Sequence, residues 1–227
     1  MIRGAGRALC AAILAPSLAF ASCTEDAMIV LDASGSMATS SREAGWPSRI
    51  AEAREALGTV LPAVEPARRI GMVSYGLSAT SSPCDGITVE ARPAPFAARP
   101  LLDIAEGLRP GGRTPLTAAV AEAAETLGAR GTVVLVTDGE ETCGGLPCAL
   151  GASLAERAPG VTVHVIGFRL GPVRPPPGHE RGGPGADARP ADAGCLAEAT
   201  GGMEVRADTL DELIEALRRT LGCALLF

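Results

Sequence analysis

Five oxygen-bearing side chains stand out by type and spacing. Asp32, Ser34 and Ser36 fall in one short run, Thr114 lies far along the chain, and Asp138 comes later still. Two carboxylates and three hydroxyls form a set of hard donors with no imidazole or thiolate among them. Such a set suits Mg²⁺ first, with Mn²⁺ or Ca²⁺ as close relatives, and disfavours zinc and copper. Gly35, between the two serines, is expected to let the loop turn tightly enough for both hydroxyls to face one ion. Taken singly, each of these residues also reads as a loop cap or a turn residue. The metal reading therefore depends on elements that bring three distant segments together.

Those elements are legible. Ala27 to Leu31 is an apolar strand that ends at Asp32, and Thr132 to Thr137 is another that ends at Asp138. Arg69 to Tyr75 and Val161 to Gly167 read as further strands, Gly86 to Ala91 as a partly polar edge strand, and Met203 to Arg206 as a short last one. Helical spacing covers Pro47 to Leu61, Leu101 to Leu108, Pro115 to Leu127 and Thr209 to Leu221, with Thr114 at the N-cap of the third. Strands alternating with helices predict an α/β fold with a largely parallel sheet, and continuously apolar strands predict helices on both of its faces. A parallel sheet puts its strand C-termini along one edge, and ligands bind there where the strand order reverses. If the strands ending at Asp32 and Asp138 flank that point, both carboxylates project into one crevice that Thr114 can reach.

The same residues carry a family resemblance. Leu31-Asp32-Ala33-Ser34-Gly35-Ser36-Met37, Gly112-Arg113-Thr114-Pro115-Leu116 and Val136-Thr137-Asp138-Gly139-Glu140-Glu141 resemble the three parts of the metal-ion-dependent adhesion site (MIDAS) of von Willebrand factor type A (VWA) domains, in bacterial form. The resemblance extends from about Glu25 to Gly222. It implies a Rossmann-like sheet with one antiparallel edge strand, about six helices and a protein-binding role. It also implies that Ser34, Ser36 and Thr114 touch the metal directly while Asp32 and Asp138 act mostly through water. Neutral first ligands leave the cation's charge largely unquenched, so a partner protein's Asp or Glu carboxylate is attracted as the last ligand.

Two other classes of function were weighed against this one. A hydrolase using the metal as a Lewis acid needs a base, and the only histidines are His164 within a strand and His179 in a Pro-rich stretch. Ser34 and Ser36 also lack a Gly-x-Ser-x-Gly elbow. The other class is a structural envelope protein whose metal only stabilises loops. Glu140 and Glu141 read as a solvated pair or as extra charge near the ion, and Trp46 as a rim contact or a packing residue.

Composition sets the surroundings. Residues 1–21 show a basic start, an apolar stretch and Ala19-Phe20-Ala21, the layout of a secretory signal peptide. A single domain is expected over residues 22–227, periplasmic or secreted, with lipid anchoring at Cys23 as a minor variant. Loss of Arg3 and Arg7 takes the formal charge from −6 to −8. An acidic chain without a basic cluster is a poor nucleic-acid binder, and no later run is long enough to span a membrane. The stretch 170–194 holds six of the prolines and is read as a mobile loop. Removing Cys10 leaves Cys23, Cys84, Cys143, Cys148, Cys195 and Cys223, an even set that behind an export signal reads as disulfides. Cys23 with Cys223 is expected to staple the termini. Cys84, Cys143, Cys148 and Cys195, all expected on loops at the metal end, admit three pairings, of which Cys84 with Cys195 looks the most stretched.

Overall fold

The computed structural model describes residues 25–40, 47–78, 82–170 and 193–222. Trp46, His179, Cys23, Cys223, the signal-peptide reading of 1–21 and nearly all of the 170–194 loop lie outside them.

Six strands form one sheet: β1 (Ala27–Asp32), β2 (Ile70–Tyr75), β3 (Ile87–Ala94), β4 (Arg130–Thr137), β5 (Gly160–Phe168) and β6 (Glu204–Ala207), in the order β3-β2-β1-β4-β5-β6. Every neighbouring pair is parallel except β2 with β3, so the polar strand expected at an edge is the antiparallel one. The helices are α1 (Arg49–Val64), α2 (Ala98–Gly107), α3 (Leu116–Leu127), α4 (Pro147–Arg157), α5 (Gly194–Thr200) and α6 (Leu210–Leu221).

The sheet is buried on both faces. Along β1, Ala27, Ile29 and Leu31 join the layer with α1, α2 and α6, while Met28 and Val30 join the layer with α3 and α5. All are fully buried, as the period-2 alternation of a strand between two helical layers requires. At the pole where β1 begins, Arg68 gathers three elements. Its guanidinium donates to the Glu25 carbonyl at 3.0 Å, to the Leu221 carbonyl at 3.0 Å and to the Thr132 hydroxyl.

Three helical expectations are corrected. Helix α1 starts at Arg49 with Ser48 as its cap, its Oγ accepting the Ala51 amide, so Pro47 lies before the cap and not in the first turn. Pro115, not Thr114, is the N-cap of α3, and it makes no side-chain cap bond. Helices α4 and α5 were not anticipated. In α4 only Pro147 and Gly151 are buried, so it lacks the apolar stripe that betrays a core helix. Pro147 at its first position and the left-handed Gly201 closing α5 are the signals that mark them.

Candidate functional site

The strand order reverses between β1 and β4, because β1 is followed by β2 on one side and β4 by β5 on the other. Leu31 pairs with Val136, so Asp32 and the Thr137–Asp138 pair leave the sheet at the same level. The strand-order reversal expected to flank these two loops is the one observed.

Asp32 is fully buried. Its Oδ1 accepts the Ser34 amide at 2.7 Å and its Oδ2 accepts the Thr137 hydroxyl at 2.7 Å. The Thr137 hydroxyl in turn accepts from the buried Tyr75 hydroxyl at 3.1 Å. Burial pushes the Asp32 carboxyl above its usual range; the Ser34 hydrogen bond opposes this and the nearby Asp138 charge adds to it. Burial likewise pushes the Tyr75 phenol well above its usual range, with the Asp32 charge adding to it. Asp32 is therefore an enclosed carboxyl group held in place by neutral donors.

Asp138 is compensated differently. The Ser36 hydroxyl donates to its Oδ1 at 2.7 Å, and Arg49 Nη1 lies 2.5 Å from its Oδ2. The Ser34 and Ser36 hydroxyls are 3.0 Å apart, which links the Asp32 loop to Asp138.

Thr114 is 5% exposed and comes to the same rim through its backbone. Its amide donates to the Thr142 hydroxyl at 2.9 Å and its carbonyl accepts the Thr142 amide at 3.0 Å. Two residues earlier, the Gly112 carbonyl accepts the Gly35 amide at 2.9 Å, and Ser34 and Gly112 form a parallel bridge. All five predicted residues thus lie on three loops joined directly to one another.

The glycine that this junction requires is not the expected one. A Cβ at Gly35 would meet only ordinary contacts, the nearest at 3.6 Å, and Gly35 does not adopt a positive φ. Gly76, at the end of β2, has φ +77°, and a Cβ there would lie 2.6 Å from the Ser34 backbone and 2.8 Å from the Arg113 carbonyl. Its own carbonyl accepts the Gly112 amide at 2.8 Å. Gly76 is the point at which the Ser34 and Arg113 loops meet.

Glu141 is not the solvated residue expected. It is buried, its Oε2 accepts the Thr117 amide in the first turn of α3 at 2.8 Å, and its Oε1 accepts the Cys143 amide at 2.7 Å. It performs the cap assigned above to Thr114. Glu140 is exposed.

The structure selects one of the three pairings left open. Cys84 joins Cys143 with Cα atoms 5.7 Å apart, and Cys148 joins Cys195 at 5.1 Å. Closure of Cys143 on Cys148 is thereby excluded. Cys148 and Cys195 stand on packed helices, α4 and α5, and not on loops at the crevice. The first bridge belongs to the site. Pro83, beside Cys84, accepts the Arg113 amide at 3.0 Å, while Thr142, beside Cys143, grips Thr114.

His164 is not a catalytic base. It sits mid-strand in β5, its Nδ1 accepts the Met203 amide at 2.9 Å, and burial, with the Arg68 charge, lowers its pKa to about 4.

The donor chemistry fits a hard cation. Among the described residues Asp32 forms no ion pair, and none of them form a group of three or more His, Cys, Asp and Glu side chains. Two carboxylates completed by hydroxyls are what a magnesium-like ion prefers over zinc.

A parallel α/β fold with its ligand-bearing loops at a strand-order reversal defines the class. Residues 27–141 match the family model of the von Willebrand factor type A domain, and the chain belongs to that family. Among curated proteins, the uncharacterized protein YwmC of Bacillus subtilis (strain 168) is 30% identical over 151 residues, covering 62% of this chain and 64% of YwmC. The chain therefore matches somewhat under two thirds of that relative's length. Among solved structures, an aerotolerance-related membrane protein from Bacteroides fragilis shares the fold at TM-score 0.58 and 19% identity, over 87% of this chain and 98% of that one. The mussel byssus proximal thread matrix protein 1, solved with a zinc-occupied MIDAS motif, shares it at TM-score 0.56 and 15% identity, over 88% of this chain and 46% of that one. Domains of this family are generally non-catalytic interaction modules, and the family assignment is consistent with that role. Among the described residues no helix is long and apolar enough to cross a membrane.

Proposed function

We propose that this domain captures a partner protein through a divalent cation, Mg²⁺ first among the candidates, held at Asp32, Ser34, Ser36, Thr114 and Asp138. The observation that carries the reading is Asp32, a fully buried carboxylate whose partners at the crevice are all neutral. Enclosing such a charge without a counter-ion is costly. An ion beside it would supply the missing charge. The Ser34 and Ser36 hydroxyls and the adjoining Thr114 segment supply further neutral oxygens. When bound, the ion offers a coordination position to a carboxylate from outside. The mussel protein, solved with zinc in its MIDAS motif, supports a divalent cation at such a motif in this fold without favouring magnesium.

We place the protein in an oxidising, extracytoplasmic compartment, as a single exported domain over residues 22–227. The two disulfides support this, since such bridges persist outside the reducing cytosol.

Calorimetry with Mn²⁺ and Mg²⁺ on the folded protein tests the site. Uptake of one ion is expected, with loss in Asp32→Ala. A peptide bearing a single exposed Glu should then bind in the presence of Mn²⁺ and be released by chelator. Absence of ion uptake by the wild-type protein would overturn the reading.

A further inference from the structure

Among the described residues, Arg49 is the cationic side chain bonded to a predicted ligand. Its Nη1 lies 2.5 Å from Asp138 Oδ2, with the Arg49 side chain 21% exposed and that of Asp138 fully enclosed. Arg49 is the first residue of α1, where the helix dipole disfavours a positive charge. Its position is therefore explained by Asp138 and not by the helix. Both Asp138 oxygens are engaged, Oδ1 by the Ser36 hydroxyl and Oδ2 by Arg49. Each oxygen keeps a further lone pair, so an ion ligated directly by Asp138 would sit against the Arg49 guanidinium and compete with both donors. One turn further along α1, Glu52 Oε2 is buried without a hydrogen-bond partner, as is Arg49 Nε, while Glu52 Oε1 is held by Arg169 at 2.5 Å.

We infer that Arg49 is a positioning residue that holds Asp138 away from direct coordination, lowering affinity for the cation while raising the affinity of the occupied site for a partner's carboxylate. The inference rests on the metal reading above and deepens it. Two effects act in the same direction. A guanidinium bonded to Asp138 repels a nearby divalent ion and removes a strong anionic ligand from its reach. The ion that does bind then keeps more of its charge for an incoming anion, and Arg49 adds its own. Cation affinity is given up for affinity toward an acidic partner.

Arg49→Gln keeps a side chain able to donate a hydrogen bond and removes the charge; Arg49→Lys keeps the charge and loses the fork. Calorimetry with Mn²⁺, followed by titration of a single-Glu peptide into the Mn²⁺-saturated protein, reads both affinities. In Arg49→Gln the Mn²⁺ affinity should rise about tenfold and the peptide affinity should fall about tenfold, within the usual range for coupled sites. Arg49→Lys should restore both toward wild type. A residue that merely supported the fold would weaken both affinities together, so opposite signs are the diagnostic result. Equal Mn²⁺ and peptide affinities in wild type and Arg49→Gln, or losses in both, overturn the role of Arg49 while leaving the metal site standing. Absence of Mn²⁺ binding in wild type and both variants overturns the metal site itself, and this role with it.

Discussion

The loops after β1 and β4 occupy equivalent places on adjacent strands, yet they treat their carboxylates in opposite ways. Asp32 is enclosed by an amide and a hydroxyl and forms no ion pair among the described residues; Asp138 is bonded to a hydroxyl and a guanidinium. Similar topology thus yields one anion in need of a counter-ion and one already supplied. On the proposed metal reading, such an asymmetric pair would offer a cation less total negative charge than two free carboxylates, leaving more of the ion's charge for an acidic ligand.

The largest test of this contrast is to neutralise the uncompensated side. Asp32→Asn should weaken Mn²⁺ binding at least a hundredfold, while the melting temperature of the metal-free protein stays level or rises, because a buried charge has been removed. Retained Mn²⁺ affinity would erase the distinction. The disulfides give the next test. Replacing Cys84 and Cys143 by Ser should cost about 2–4 kcal/mol in denaturant unfolding and also weaken Mn²⁺ binding, since that bridge flanks the residues gripping Thr114. Replacing Cys148 and Cys195 should cost a similar amount of stability and leave Mn²⁺ affinity unchanged. Equal effects on the ion would deny the first bridge its part in the site.

Smaller effects sharpen the same picture. Gly76→Ala should destabilise the fold by about 1–3 kcal/mol through its left-handed φ and the crowded Ser34 backbone. Gly35→Ala should fall within about 0.5 kcal/mol of wild type. The last prediction separates acid effects on the site from those on the body of the fold. His164 has a folded-state pKa of about 4 against an ordinary 6.5, so between those values the unfolded chain binds the extra proton. Its contribution is complete above about pH 6.5 and is lost as pH falls toward about 4, a drop of roughly 1–2 kcal/mol after allowance for partial exposure. His164→Gln, which keeps an acceptor for the Met203 amide, should flatten that part of the stability curve. Loss of Mn²⁺ binding in acid that persists in the variant then belongs to the carboxylates.

Most of the sheet was legible because a strand enclosed on both faces is largely apolar: β1 is so up to Asp32 and β4 from Val133 to Val136, while β5 keeps an apolar majority around Thr162 and His164. The pattern of two apolar strands each ending in Asp also located the crevice, since neighbouring parallel strands deliver their last residues to one level. What escaped depends on groups that carry no periodic signal. Helix α4 buries little, so its sequence has no stripe to read. Arg49, Thr142 and Glu141 act through contacts between segments far apart in the chain, and Gly76 through a close approach of two other loops. Only Arg49 carried a hint, as a cation placed where a helix should prefer an anion. Cysteine partnering is decided by which loops and helices become neighbours, and spacing alone left it open.

Arg68 has a mechanical consequence. It binds the Glu25 carbonyl just before β1 and the Leu221 carbonyl at the end of α6, tying those two backbone segments together at the pole opposite Asp32. A pull between the Asp32 loop and Glu25 would load β1 lengthwise. That strand is hydrogen-bonded on both sides, to β2 and β4, so its rungs would share the strain in shear and would not open one at a time.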